Sequence, residues 1–323
     1  MVSETMDLRQ LRTFQAVAEF GSLSKASDRL HVAEPALSRQ IKLLEHDLQT
    51  KLFNRNGRGM MLTDGGHLLL KKIGGLLRQI DQVKDDLLSL TGTPSGTVAL
   101  GIVPTASCVL AGRLAQRVAT ELPKVALRLV ESYGGHLVEW LHRSEIDLAI
   151  IYGQHSGVHV VQEALAIDEL MIVGRAGSRV AKRSGGSLAW LAGERLVLPS
   201  KSHGLRQLLE RTAQRKRLHL NVVIEADSFR ALVDMVERGV GYSVLPPSAI
   251  ARERAQQTLE AVPLHDPRVV RNLVLARSMD SHPSVAAQAV SAFVKLEAAA
   301  VAAEGLWSVP TTRRKPTAMP GRS

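Results

Sequence analysis

The chain has 323 residues, of which 45% are hydrophobic, and its 41 basic and 31 acidic side chains leave a formal net charge of +10. That length suits two or three domains with sizeable cores, and the basic excess suits a polyanionic partner. A lone cysteine, Cys108, excludes an intramolecular disulfide and zinc-finger chemistry; a buried, unreactive thiol is expected there.

The charge is unevenly placed. Basic and acidic residues nearly balance over residues 1–65, while much of the excess lies in Arg211, Arg215, Lys216 and Arg217 and in the terminal Arg313, Arg314, Lys315 and Arg322. The 211–217 run reads as a solvated face. No charged-then-apolar leader opens the chain and no apolar run approaches a membrane span, so a cytoplasmic protein without membrane contact is expected.

In chain order, Leu8, Leu11, Phe14 and Ala18 share one face of a first helix. Leu23, Ala26 and Leu30 make a second, capped by Ser22 or Ser24. Leu37, Ile41 and Leu44 make a third, with Pro35 in its first turn. Between the last two, His31-Val32-Ala33 offers Val32 as an apolar plug. The outer side of the third helix carries Ala36, Ser38, Arg39 and Lys42, a short polar face with a basic edge that a DNA major groove can admit. Taken alone, the pair reads equally well as a helical hairpin in an ordinary core. Downstream, Leu52-Phe53-Asn54-Arg55 and Met60-Met61-Leu62-Thr63 read as short strands around the hairpin signal Asn56-Gly57. The whole is a winged helix-turn-helix, with Arg55 and Arg58 on a wing that meets phosphates or a minor groove.

The run Ser24-Lys25-Ala26-Ser27, Pro35-Ala36-Leu37-Ser38-Arg39-Gln40-Ile41, Leu44-Glu45, Leu52-Phe53-Asn54-Arg55, Leu62-Thr63 and Gly66 resembles the DNA-binding domain of LysR-type bacterial transcriptional regulators. The likeness is close as far as residue 90 and looser beyond. It implies a sequence-specific transcription factor that meets double-stranded promoter DNA through Ser24, Pro35, Ala36, Ser38, Arg39, Lys42, Arg55, Arg58 and Thr63. It also implies a homodimer or homotetramer that bends DNA, with RNA polymerase as a candidate further partner. Three departures stand out: Ala33-Glu34 where the family often has Ser-Gln, Leu48-Gln49 where it usually has a glycine, and Gly65 before Gly66, a looser entry to the next helix. Glu34 suits a helix N-terminus, but it could equally accept from a cytosine amino group or repel phosphate.

Next, Leu69, Ile73, Leu76, Ile80, Val83, Leu87 and Leu90 recur every three or four residues with charges elsewhere. That is a coiled-coil seam for dimerisation, the alternative being an amphipathic helix packed on its own domain. Gly74 and Gly75 are expected to weaken this helix and let it bend. A dimer of winged helices predicts two half-sites of inverted symmetry.

After Thr91-Gly92-Thr93-Pro94-Ser95-Gly96 the pattern changes to apolar strands alternating with helices. Strands at 97–103, 125–131 and 146–152 with helices at 108–121 and 135–143 make a first lobe. Strands near 168–174, 195–199, 221–227 and 241–245 with helices near 203–217 and 228–238 make a second. A strand, Asn272–Arg277, and a helix at 283–303 return to the first. The expected organisation is therefore multidomain α+β: a winged helix-turn-helix at 6–65 (helix-turn-helix about 23–42), a linker helix at 66–91, and a two-lobed α/β effector domain at 97–304. Lobe 1 takes about 97–165 and 268–304, lobe 2 about 166–267, and the Pro-, Thr- and Arg-rich tail 305–323 is expected to be disordered. By resemblance the effector domain is similar to type 2 periplasmic binding proteins.

Two chain crossings make a hinge, and a ligand belongs in the cleft at the strand C-termini. Candidate effector contacts are Thr105, Ser107, Tyr133, His136 and Tyr152 from lobe 1, and Ser202, His203 and Arg206 from lobe 2. Arg206 beside a helix N-terminus favours a small organic effector bearing a carboxylate or other anion. Thr105 and Ser107 are equally good helix caps, Arg206 can pair with Glu210 one turn on, and Phe229 is either a cleft wall or core. There is no Gly-x-Ser-x-Gly elbow, phosphate-cradling glycine loop or His-Glu-x-x-His pair, so no catalytic residue, metal site or cofactor is expected. A solute-binding protein without gene regulation, or less readily an enzyme using the cleft, is the alternative function.

Overall fold

Helix α1 (Leu8–Phe20) begins at Asp7, whose carboxylate takes the Arg9 N–H while Gln10 reaches back to the Asp7 N–H. This is a computed structural model, and it describes residues 6–56, 59–89, 93–153, 160–279 and 282–309. Ser22 rather than Ser24 caps α2 (Leu23–Leu30), accepting from the Lys25 N–H at 3.4 Å. After α3 (Glu34–Asp47), the faces carrying Leu11, Phe14, Val17, Ala26, Leu37, Ile41 and Leu44 close into one core. Each large apolar side chain buried there contributes roughly 1.5–3 kcal/mol.

The wing pairs β1 (Phe53–Asn56) with β2 (Gly59–Leu62) in antiparallel register, Phe53 opposite Leu62. Gly59 has a φ of +118°, and a Cβ there would lie 2.5 Å from the Gly21 carbonyl oxygen. That carbonyl accepts the Met60 N–H at 2.9 Å, so the glycine lets the wing seat on the α1–α2 turn. The buried carboxylate of Glu45 clamps the other strand to α3, accepting from the N–H groups of Leu52 (2.9 Å) and Phe53 (3.2 Å) and from Lys51 Nζ (2.8 Å).

Helix α4 (Asp64–Ser89) divides the apolar stripe between two surfaces. Ile73 and Leu77 are buried in the winged-helix core, with Leu69 and Leu70 packed beside them. Leu76, Val83 and Leu87 are 46%, 61% and 63% exposed, with Ile80 half-buried between them. Ile73 therefore serves its own domain, while the open seam runs along Leu76, Val83 and Leu87; Leu90 lies outside the described residues. The paired glycines do not break α4, which is continuous through them. Gly75 instead allows close approach: a Cβ there would lie 1.9 Å from the Arg143 carbonyl oxygen of the effector domain. Around that contact Arg78 pairs with Asp147 and donates to the Glu145 carbonyl at 2.6 Å, and Gln82 also reaches Asp147. Asp86 accepts the Val285 N–H at 2.9 Å.

Lobe 1 opens with β3 (Gly96–Ile102), α5 (Pro104–Glu121), β4 (Val125–Glu131), α6 (Gly134–His142), β5 (Leu148–Tyr152) and β6 (Val160–Glu169). The chain crosses to lobe 2 for β7 (Met171–Arg175), β8 (Gly186–Ser187), α7 (Leu188–Ala192), β9 (Leu196–Leu198), α8 (Gly204–Arg215), β10 (Val222–Glu225), α9 (Phe229–Glu237), β11 (Ser243–Leu245), α10 (Ala251–Ala255) and β12 (Leu259–Asp266). It returns through β13 (Val270–Ser278) and ends in α11 (Val285–Ala303). The lobe 1 sheet has the order β4-β3-β5-β13-β6, with β3, β4 and β5 parallel and β13 antiparallel to both neighbours. Lobe 2 has the order β11-β7-β12-β8, with β9 and β10 as a parallel pair.

Three expectations are corrected. The single strand read over 168–174 is the end of β6 and the whole of β7, broken at Leu170 where the chain changes lobes; β6 and β12, rich in polar positions, escaped the apolar pattern. Helix α11 is long and apolar enough to cross a membrane, with a mean hydropathy of 1.5, although no run near that threshold was expected. Its Ala287, Val290, Val294, Ala298 and Val301 are buried in the lobe 1 core, which is what the apolarity serves. Finally, order continues past residue 305: Trp307 is buried, and Ser308 exchanges backbone hydrogen bonds with Ile167 of β6 at 2.8 and 2.9 Å. Residues 310–323 of the expected disordered tail lie outside the described residues.

A candidate DNA-reading face and an interlobe cleft

The buried side of α3 is apolar but for Glu45, and its other side is open. Pro35, Ala36, Arg39 and Lys42 are exposed, Ser38 is half-buried, and Ser24 is exposed at the start of α2. Glu34 is exposed in the first turn of α3, and no side chain caps that helix. Thr13 bonds Gln40 from α1, which sets the angle of α3 against its brace. The backbone of Arg55 lies on β1, and Arg58 lies outside the described residues. Thr63, expected at DNA, has its hydroxyl committed: it donates to the Lys51 carbonyl at 2.6 Å and accepts the Gly66 N–H at 3.0 Å, capping α4.

The two lobes enclose a cleft of about 760 Å³. Thr105, Tyr133, His136 and Tyr152 line it from lobe 1, and Ser202 and His203 line it from lobe 2, so six of the eight expected residues come together. Ser107, on α5, is not among the lining residues. Arg206 is the clear correction. It is buried beneath the cleft, bonded to Glu210 (2.7 Å), Glu225 (3.1 Å) and the Pro199 carbonyl (3.1 Å), so its charge is spent within lobe 2. Phe229 is a cleft wall.

A polar chain that sequence reading missed forms the floor. Thr105 Oγ1 lies 2.8 Å from the Tyr152 hydroxyl, which donates in turn to Asp168. Arg271 Nη2 donates to the same Asp168 oxygen at 3.3 Å, and its guanidinium carbon lies 3.6 Å from the Tyr152 ring centroid. Asp168 and Arg271 face each other in register on β6 and β13, the two strands that enter the hinge. Burial pushes the Asp168 carboxyl up to about 6 despite Arg271 and Tyr152, and burial drives the Tyr152 phenol well above its ordinary value. The two residues lie 103 positions apart, and only their conjunction of unlike charges on two apolar strands could have hinted at the pair.

His203 caps α8, its Nδ1 accepting the Leu205 N–H at 3.1 Å. That bond needs the neutral ring with its proton on Nε2, and burial followed by the charge of Arg271 holds its pKa below the usual value. Cys108 is exposed rather than buried. Packing around its sulfur, then the charges of Glu131 and Glu253, push the thiol up to about 11, so it stays protonated.

An open helix with exposed Arg39 and Lys42 on a winged domain, joined through a helix to a two-lobed cleft, is the build of a DNA-binding regulator that answers a small ligand. Residues 8–67 match the family described as bacterial regulatory helix-turn-helix protein, lysR family, and residues 91–299 match the LysR substrate binding domain. The HTH-type transcriptional regulator BbuR of Bordetella bronchiseptica is 31% identical over 302 residues, covering 94% of this chain and 93% of its own. The nitrogen assimilation regulatory protein nac of Escherichia coli is 32% identical over 245 residues, covering 76% and 79%. Full-length CbnR, solved in complex with its target DNA, shares the fold with a TM-score of 0.69 at 20% identity, over 91% of this chain and 99% of that one. The chain belongs to the LysR family of bacterial transcriptional regulators, with an N-terminal DNA-binding domain and a C-terminal effector-binding domain.

Proposed function

We propose that this regulator works as a cytoplasmic homodimer, able to pair into a tetramer, that reads promoter DNA and has no catalytic activity of its own. The exposed seam of Leu76, Val83 and Leu87 on α4 joins two chains. Each α3 enters a major groove, with Arg39 and Ser38 at base edges and Pro35, Ala36 and Lys42 against the groove wall and nearby phosphates. Ser24 meets the backbone from α2, and Arg55 and Arg58 meet it from the wing.

The effector occupies the interlobe cleft, touching Thr105, Tyr133, His136, Tyr152, Ser202 and His203. What links it to the reader is β5: Asp147, which holds α4 through Arg78, immediately precedes this strand, and Tyr152 in the cleft ends it. Closing the lobes on an effector shifts that strand's surroundings and so the carriage of α4, biasing which half-sites the paired readers occupy.

The observation that carries this reading is the open face of α3, where Arg39 and Lys42 stand exposed, braced by the buried Leu37, Ile41 and Leu44 on the opposite face. It is tested by selecting bound sequences from random duplex DNA with the purified chain. An inverted repeat with half-sites about one helical turn apart is expected. Retention of all sequences alike, with no repeat, would remove the specific-reader role.

A further inference from the structure

The two ends of lobe 2 differ in charge. Strands β9 and β10 are parallel, and their C-termini open on the cleft through Pro199, Ser200 and Asp227, so their N-termini mark the opposite end. Helix α8 starts at the cleft with His203 and runs 12 residues, roughly 18 Å at 1.5 Å each, toward that far end. There Arg215, Lys216 and Arg217 close the helix and begin the turn to β10, while Arg195 stands just before β9. The Leu196 N–H donates to the Asn221 carbonyl at 2.9 Å, which keeps Arg195 beside that turn. A third segment joins them. The guanidinium carbon of Arg183 lies 4.6 Å from the Trp190 ring centroid, and Trp190 meets Tyr242 edge to face at 5.4 Å. The Tyr242 N–H in turn donates to the Arg195 carbonyl at 2.8 Å.

Arg183, Arg195, Arg215 and Arg217 are exposed, and none is ion-paired among the described residues. Four carboxylates toward this end are already engaged: Glu194 by Arg179, Asp266 by Lys216, Asp234 by Arg238, and Glu237 by the Thr258 hydroxyl. Residues 170–269 carry sixteen basic side chains against nine acidic, while residues 1–65 nearly balance. Most of the net charge of +10 therefore belongs to lobe 2 and not to the winged domain.

We infer that the far end of lobe 2 is a second DNA-binding surface, blind to sequence, that takes the phosphate backbone of duplex lying beyond the half-sites. Duplex DNA presents one negative charge per roughly 1.7 Å of axis. Guanidinium groups hold phosphate oxygens through paired N–H donors, and stacking on Trp190 limits the freedom that Arg183 gives up on binding. Contacts of this kind add affinity and fix the path of the DNA but read no base. An acidic protein is the rival occupant. DNA is favoured because a regulator already bound to it keeps the flanking phosphates at high local concentration.

The test uses the full chain and two duplexes, one just spanning the selected repeat and one extended by about four helical turns on each side. Fluorescence anisotropy follows binding over a series of salt concentrations. Affinity falls with salt by a log–log slope of about 0.9 per phosphate neutralised, so the native chain should be steeper by at least about two on the long duplex. The combined variant Arg183→Gln, Arg195→Gln, Arg215→Gln and Arg217→Gln should bring the two slopes together and leave the short duplex bound as before. The same four positions changed to lysine should keep most of the gap, since charge rather than shape attracts phosphate.

Equal native slopes on the two duplexes overturn the inference. So does a gap that survives the glutamine variant, which would leave the face to an acidic protein, or one lost as fully in the lysine variant. A glutamine variant that weakens the short duplex as much as the long one overturns it too, because the contact would then lie inside the reader's own footprint. Random-sequence duplexes of the two lengths allow the same comparison without a repeat. Failure of specific reading and failure of this surface are thereby told apart.

Discussion

Tyr133 and His203 meet edge to face across the cleft, ring centroids 4.9 Å apart, each ring belonging to a different lobe. Both are N-cap residues, Tyr133 of α6 and His203 of α8, so the contact joins two helix ends as well as two lobes. Because His203 caps as an acceptor, it must stay neutral. With its folded pKa below the ordinary 6.5, its contribution to stability is complete above pH 6.5 and is lost as the pH falls below that value. Asp168 runs the other way: raised to about 6, it contributes fully below about pH 4 and loses this as the pH rises through 6. His203→Asn keeps a capping acceptor and removes the titration. Thermal unfolding of native and variant chains across pH 5–8 should show the gap between them moving in the variant's favour as the pH falls.

The two surfaces of α4 separate dimerisation from folding. Leu76→Asp with Val83→Asp places charge on exposed positions and should leave a folded monomer, seen by sedimentation and circular dichroism. Ile73→Asp buries a charge in the winged-helix core and should unfold that domain, at a cost of several kcal/mol. A dimer surviving the double substitution would move the interface elsewhere.

Glu45 should hold the wing. Glu45→Ala leaves the Leu52 and Phe53 N–H groups unpaired and is expected to cost about 1–3 kcal/mol in denaturant unfolding. Burial alone would raise this carboxyl, but the bonds from Lys51, Leu52 and Phe53 outweigh it and hold the pKa below 4.5. The stabilisation is therefore present above about pH 4.5 and disappears as the pH falls through the lowered value. Faster hydrogen exchange across the wing in the variant would mark the loss.

Gly75→Ala should loosen the effector domain from α4 without unfolding either. The new methyl group meets a backbone carbonyl, which cannot rotate away as a side-chain end can. Small-angle scattering should report a larger radius of gyration, and limited proteolysis faster cleavage near residues 90–95. Unchanged scattering would show that the contact is absent in solution.

Arg39→Ala should relax sequence preference and weaken specific binding by about 1–3 kcal/mol, while Lys42→Ala weakens all sequences alike and lowers the salt slope by about one. Fluorescence anisotropy on selected and scrambled duplexes at several salt concentrations separates the two. Equal losses on both duplexes for Arg39→Ala would make it a phosphate contact.

What could be read in advance follows how far each signal reaches along the chain. The caps, the apolar faces of α1 to α3 and the hairpin at the wing are set by residues a few positions apart. The N-termini at Thr105, Tyr133 and His203 were equally visible, because glycine, proline and hydroxyl residues mark where strands give way to helices. Arg206 of α8 was misjudged since sequence shows a charge but not all its neighbours, and Glu225 comes from strand β10. The α4 stripe was read as one seam because periodicity records which face is apolar, not how many partners divide it.

Local pattern thus determined by itself the winged helix, the linker helix and the alternating strands and helices of two lobes, for periodicity and capping are properties of short segments. Only the tertiary structure decided that Ile73 turns inward while Val83 stays open, that Gly75 receives the Arg143 carbonyl, and that Asp168 meets Arg271 beneath the cleft. Each of those depends on surfaces brought together from distant stretches of chain, where burial and the identity of the facing group, not the residue alone, set what a side chain can do.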